Sequence, residues 1–165
     1  MSTTTEFLKE LIQESVVTRK MLERIPADQY DWRPHQKSMS IKELAGHIAE
    51  LPGWVAMAFT TDELNFAEME YTPPVWNSNA ELLDIFEKAL VNGRQQLEKG
   101  SEVELDFVWQ LKKGDTVLMD LTKGLMVRHA ISQTIHHRAQ LGVYLRLLDI
   151  PIPGTYGPSA DDQSF

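Results

Sequence analysis

Four of the chain's five histidines fall in two segments with helical spacing of apolar residues, and they are the side chains best suited to chemistry. His47 lies in the first segment, whereas His129, His136 and His137 share the second; His35 lies in a loop before the first. Imidazole nitrogens bind transition metals and exchange protons near neutral pH. The clustering therefore indicates a metal-binding or proton-transfer site, or else hydrogen-bonded histidines within a core.

Three of these positions are predicted to converge inside the fold. At 100° per residue, His47 lies on the apolar side of its helix and His137 lies among the core-facing residues of the last one. Gln133 and His137 are four residues apart, so their side chains stand one above the other. A neutral carboxamide is a weak ligand, which predicts a loosely held metal on His47, Gln133 and His137. The alternative is two core histidines with Gln133 as their hydrogen-bond partner.

By the same helical-wheel calculation, neighbouring polar residues are second choices as metal ligands or supporting groups. His129 and His136 fall at the margin of the apolar arc, where rotation inward would let either serve as the third ligand, and Arg138 falls on the opposite flank. Glu50, one turn after His47, is placed to orient it or to act as a general base, but an exposed carboxylate is the more frequent case.

Composition excludes several functional classes. The chain has 165 residues, a net charge of −8 and no cysteine, so disulfides, thiolate metal sites and cysteine nucleophiles are excluded. The acidic balance opposes binding to nucleic acid. P-loop, dinucleotide-binding, GxSxG and HExxH motifs are absent from the sequence. These features predict one domain over residues 1–165.

The sequence also predicts a cytoplasmic location without a membrane partner. No apolar run approaches the roughly 20 residues of a membrane-spanning helix. The first residues, MSTTTEFLKELIQESVV, lack a basic segment followed by an unbroken apolar stretch.

The histidine segments belong to a predicted all-α four-helix bundle. Apolar spacing predicts helices over 5–25 and about 121–148, and capping boxes at Ser40 and Ser78 predict the starts of helices two and three. Pro52 and Gly53 should kink helix two. Two β-prone runs around Gly114 predict a small hairpin between helices three and four, and residues 60–77 are expected to form a long loop.

Helix four is the proposed interface of a homodimer. Val127, Ile131 and Ile135 form a second apolar flank on this helix, which a partner could cover. The alternative is that they pack inside the same chain.

Two long stretches resemble the DinB family of helical metal-dependent proteins, which is unrelated to the DNA polymerase of that name. They are MLERIPADQYDWRPHQKSMSIKELAGHIAELPGW and HAISQTIHHRAQLGVYLRLLDIPIPGTYGPSAD. The resemblance implies a four-helix bundle, often dimeric, with metal held by a histidine of helix two and an H-x-x-x-H pair on the last helix. These positions correspond to His47 and, for the second histidine of the pair, His137. Gln133 departs from the pattern, because the family has histidine there.

The same resemblance implies a broad range of activities. A divalent metal, zinc or nickel, would activate a low-molecular-weight thiol or water for a transferase or hydrolase acting on a small molecule. The alternative is a binding or stress-response module whose metal site degenerated when Gln133 replaced histidine. A nucleic-acid-binding role would conflict with the net charge.

Overall fold

The computed structural model describes residues 2–69 and 71–163, and its architecture is a four-helix bundle with a small sheet. The helices are α1 (Thr3–Leu22), α2 (Ile41–Thr60), α3 (Asn79–Lys99) and α4 (Lys123–Leu147). The strands are β1 (Glu63–Asn65), β2 (Val108–Lys113) and β3 (Thr116–Thr122). α1 and α2 each pack against both α3 and α4. The predicted bundle, with strands between the third and fourth helices, is confirmed.

Local signals explain where the helices begin and end. The Ser40 hydroxyl accepts a bond from the Glu43 N–H, and the Glu43 carboxylate accepts one from the Ser40 N–H, completing a capping box for α2. α1 ends at Leu22, three residues before the predicted end, because the next turn tightens to i→i−3 bonds from Arg24 and Ile25. α2 continues past Pro52 to Thr60.

The sheet contains one strand that the sequence did not indicate. β2 and β3 form the predicted hairpin, turning at Gly114, whose φ of 60° favours glycine. β1 lies in the segment expected to be a loop and pairs parallel with β2. The Asn65 carboxamide oxygen accepts bonds from the backbone N–H groups of Ala67 and Gly114, which tie β1 to the hairpin turn. A strand of three residues is too short to show the alternation of buried and exposed side chains that would predict it from the sequence.

The buried arc of α4 is wider than the apolar residues alone suggested. It runs from about 20° to about 180° relative to Gln133, so Arg138 lies inside it and His137 lies near its edge. Arg138 is therefore buried, contrary to the prediction that placed it on the far flank.

Arg138 is buried because α1 supplies its partners. Its guanidinium donates to the Glu14 carboxylate at 2.6 Å and to the Thr18 hydroxyl at 3.0 Å. It also donates to the Tyr156 hydroxyl at 3.1 Å, and that hydroxyl in turn donates to Glu14 at 2.7 Å. Burial raises the pKa of Tyr156. This cluster joins α1, α4 and the carboxyl-terminal segment.

The flank of α4 proposed as a dimer interface is covered within the chain. Val127 and Ile131 are fully buried, and Ile135 is partly buried against the core. The dimer stays a prediction, but these residues do not provide its surface.

Within the described residues, no helix combines the length and the apolarity needed to cross a membrane.

Glu102 caps α1 from a distant part of the chain. Its carboxylate accepts bonds from the backbone N–H groups of Thr3 and Thr4 and from the Thr4 hydroxyl. The backbone bonds to Thr4 and Thr3 lower the pKa of Glu102 to about 2 from an ordinary value of 4.5.

We expect the Glu102 cap to make the free energy of unfolding decrease as the pH is lowered. A lowered folded-state pKa stabilises the protein above the unfolded-state pKa, and that stability is lost as the pH falls from about 4.5 to about 2. Urea unfolding at pH 7 and pH 3 should show a smaller loss of stability in Glu102→Gln than in the parent. Glu98→Gln is the matched control; a parent-like loss in Glu102→Gln would contradict this role.

Candidate metal centre and cavity

A cavity of about 970 Å³ lies beside the predicted histidines. Its walls come from α2, α4, the three strands and the segments around residues 33–39, 66–69 and 71–73. His47 and Glu50 of α2 and His129 of α4 line it together with largely apolar side chains. Volume and lining are those of a small-molecule site.

His47 is held in one orientation by a chain of hydrogen bonds. Its Nδ1 lies 2.7 Å from a Glu50 carboxylate oxygen, which also accepts a 2.7 Å bond from the Tyr71 hydroxyl. Because a carboxylate can only accept, Nδ1 carries a proton, and the neutral imidazole in this tautomer has its lone pair on Nε2. The His47 ring also meets Trp54 edge-to-face, with centroids 5.5 Å apart. A carboxylate behind Nδ1 is the usual support of a metal-binding histidine.

His137 approaches His47 from α4. The two ring centroids are 4.7 Å apart. His137 Nδ1 donates to the Gln140 carboxamide oxygen at 2.9 Å, so its Nε2 also presents a lone pair. Burial lowers the pKa of His137, the neighbouring His47 and His136 lower it further, and the Gln140 bond partly offsets these effects. The neutral imidazole that a metal requires is thereby favoured at neutral pH.

At the third predicted position, Gln133 is hydrogen-bonded to a different histidine. Gln133 is half-buried, and its amide nitrogen lies 3.4 Å from His129 Nε2, one turn earlier on α4. Burial lowers the pKa of His129. His136 is exposed and accepts a bond from Gln140 at 3.1 Å. The structure thus brings His47 and His137 together, and the hydrogen bond of Gln133 is to His129.

The donor set fits a divalent metal with two imidazoles. Each of His47 and His137 has its Nδ1 bonded and its Nε2 lone pair available, which is the chemistry a borderline metal needs. Gln133 offers only an amide group. Across residues 2–69 and 71–163, no group of three His, Cys, Asp or Glu side chains is placed to hold a metal. A two-histidine site is weaker than the three-histidine arrangement that the resemblance implies.

Sequence reasoning missed part of this site. Tyr71 lies in the segment without periodicity, so nothing indicated its bond to Glu50. Glu50 itself was expected to be exposed, but only 17% of its side chain is accessible, because His47 and Tyr71 cover it. The i, i+3 spacing of His47 and Glu50 was the available signal, and the two side chains lie 2.7 Å apart in the structure.

Comparisons with known proteins point in one direction. The model of the DinB family matches residues 1–164. A DinB-like protein of Bacillus subtilis, YjoA, superposes with a TM-score of 0.67 at 23% identity, covering 89% of this chain and 96% of that one. A DinB-like protein of Bacillus cereus gives 0.69 at 18% identity, covering 91% and 95%. No curated protein matches the chain.

Proposed function

The chain belongs to the DinB family, and from this premise we propose that it is a metal-dependent enzyme acting on a small molecule bound in the cavity beside His47. The observation that carries the proposal is the approach of His47 to His137, each with Nδ1 bonded and Nε2 available. The reaction class that suits such a site is transfer to a low-molecular-weight thiol or to water.

His47 and His137 would hold the metal, and their neighbours would fix the two rings. Glu50 holds the His47 Nδ1 proton and is itself positioned by Tyr71. Gln140 supports His137 in the same way, by accepting the bond from its Nδ1. Such supporting residues orient the ring and increase the basicity of the ligating nitrogen.

The cavity provides the surroundings for a reaction on a small molecule. A divalent metal supplies Lewis-acid chemistry, lowering the pKa of a thiol or water so that a nucleophile exists near neutral pH. Trp54 and Trp109 form aromatic walls of this cavity.

One observation favours a second candidate. Because Gln133 contacts His129 and no third acidic, thiol or imidazole ligand joins His47 and His137 in the described part of the chain, the chain also suits a small-molecule-binding module without metal. Both candidates use the same cavity, and metal binding distinguishes them.

Calorimetric titration of the tag-free protein with Zn²⁺ and Ni²⁺ tests the proposal. We expect weak, saturable binding in the parent and a loss of at least about tenfold in affinity for His47→Ala and for His137→Ala, since each removes one of two imidazole ligands. His35→Ala is the matched control, because this exposed loop histidine lies outside the site.

Absence of binding in the parent would favour the binding module. Loss on His136→Ala but not on His137→Ala would show that the wrong neighbour had been assigned as ligand.

A further inference from the structure

The cavity beside His47 is unusually rich in methionine. Five of the chain's seven methionines line it: Met39, Met57, Met69, Met119 and Met126. Methionine is unbranched and polarisable, so a wall made of it adapts to flexible apolar groups of differing shape. The aromatic and aliphatic remainder of the lining includes Trp54, Leu64, Phe66, Trp109 and Leu111. The interior therefore suits an alkyl or arylalkyl chain.

Two cations stand at the exposed side of this apolar cavity. Arg33 and Lys37 both line it and both belong to an exposed segment before α2. In the described ranges, no carboxylate forms an ion pair with Lys37, and Arg33 has only a 3.6 Å contact with Glu43. In a chain with a net charge of −8, this pair provides a local attraction for an anion.

The carboxylates of the cavity are already engaged. Glu43 accepts the Ser40 N–H in the capping box at 2.7 Å. Glu50 is bonded to His47 and Tyr71. The one contact of the Arg33 guanidinium with a carboxylate, to Glu43, is 3.6 Å long, so the guanidinium keeps donors for a planar anionic group.

We propose that the cavity binds an amphipathic carboxylate, with its apolar chain among the methionines and its carboxylate at Arg33 and Lys37. This inference rests on the proposed function in taking the cavity as the substrate site, and it names the substrate class. It does not require the metal.

Tryptophan fluorescence provides the test, because Trp54 and Trp109 line the cavity and a bromine atom in contact with an indole quenches its emission. The full tag-free chain is titrated in EDTA with 11-bromoundecanoate and, as the uncharged match, with 11-bromo-1-undecanol. We expect saturable quenching by both and about tenfold tighter binding of the carboxylate. EDTA removes coordination of the carboxylate to a metal as an explanation.

Charge variants locate the recognition. Arg33→Gln/Lys37→Gln should abolish the preference for the carboxylate and leave binding of the alcohol unchanged. Lys20→Gln/Arg24→Gln removes two exposed cations outside the cavity and should keep the preference.

Equal affinity of the parent for acid and alcohol, absence of quenching, or an equal loss in both double variants would overturn this inference. A preference for the carboxylate in a protein that binds no Zn²⁺ would support it while contradicting the metal-dependent function. Zn²⁺ binding without a preference for the carboxylate would support the metal-dependent function and contradict this inference.

Discussion

Replacing Arg138 with methionine is expected to lower the free energy of unfolding by about 3–5 kcal/mol, because it leaves the buried Glu14 without its cation. Only 3% of the Arg138 side chain and 7% of the Glu14 side chain are accessible, so water cannot replace the lost partner. Thr18 and Tyr156 would lose a donor as well. Urea unfolding followed by circular dichroism measures the change.

Two further variants separate burial from charge. Glu14→Leu/Arg138→Met removes both charges and should recover most of the lost stability, since no unpaired charge then remains inside. Arg128→Met breaks the more exposed pair with Glu10 and should cost less than about 1 kcal/mol. A cost for Arg138→Met as small as that for Arg128→Met would show that the buried pair does not stabilise the bundle.

Replacing Gln133 with histidine is expected to raise the affinity for Zn²⁺ or Ni²⁺ at least tenfold, about 1.4 kcal/mol. The change adds an imidazole at the i, i+4 position before His137, where it completes a three-histidine set with His47. An amide oxygen competes poorly with water for the metal, whereas imidazole nitrogen is a strong donor. Calorimetric titration of both proteins, free of tags, measures the difference.

The control for this variant is Val143→His, which adds an imidazole at an exposed position of the same helix with no histidine three or four residues away. It should leave the affinity unchanged. Equal affinities in the parent and in Gln133→His would mean that position 133 does not reach the site, in keeping with its contact to His129.

The helices and the His47–His137 pair could be predicted because their determinants are local. Capping boxes at Ser40 and the apolar period of α2 place His47 on an inward side, and the wheel of α4 places His137 near the buried arc. Each inference needs only residues within a few turns of one helix.

The remainder depends on contacts between distant parts of the chain. Arg138 is buried because it forms an ion pair with Glu14, 124 residues away in sequence. A helical-wheel calculation that counts only apolar residues places Arg138 outside the buried side of α4. Tyr71 reaches Glu50 from a segment that has no period of its own. β1 forms because its three residues pair with the edge of β2. Packing decided these positions, and no local pattern encodes it.

The most direct test of the central claim is a long-range ¹H–¹⁵N spectrum of the imidazole nitrogens during titration of the tag-free protein with Zn²⁺. If His47 and His137 hold the metal, their Nε2 resonances will shift together and saturate, while their Nδ1 nitrogens keep the protons bonded to Glu50 and Gln140. Saturable shifts confined to His129 or His136, or no shift at any histidine, would contradict the account.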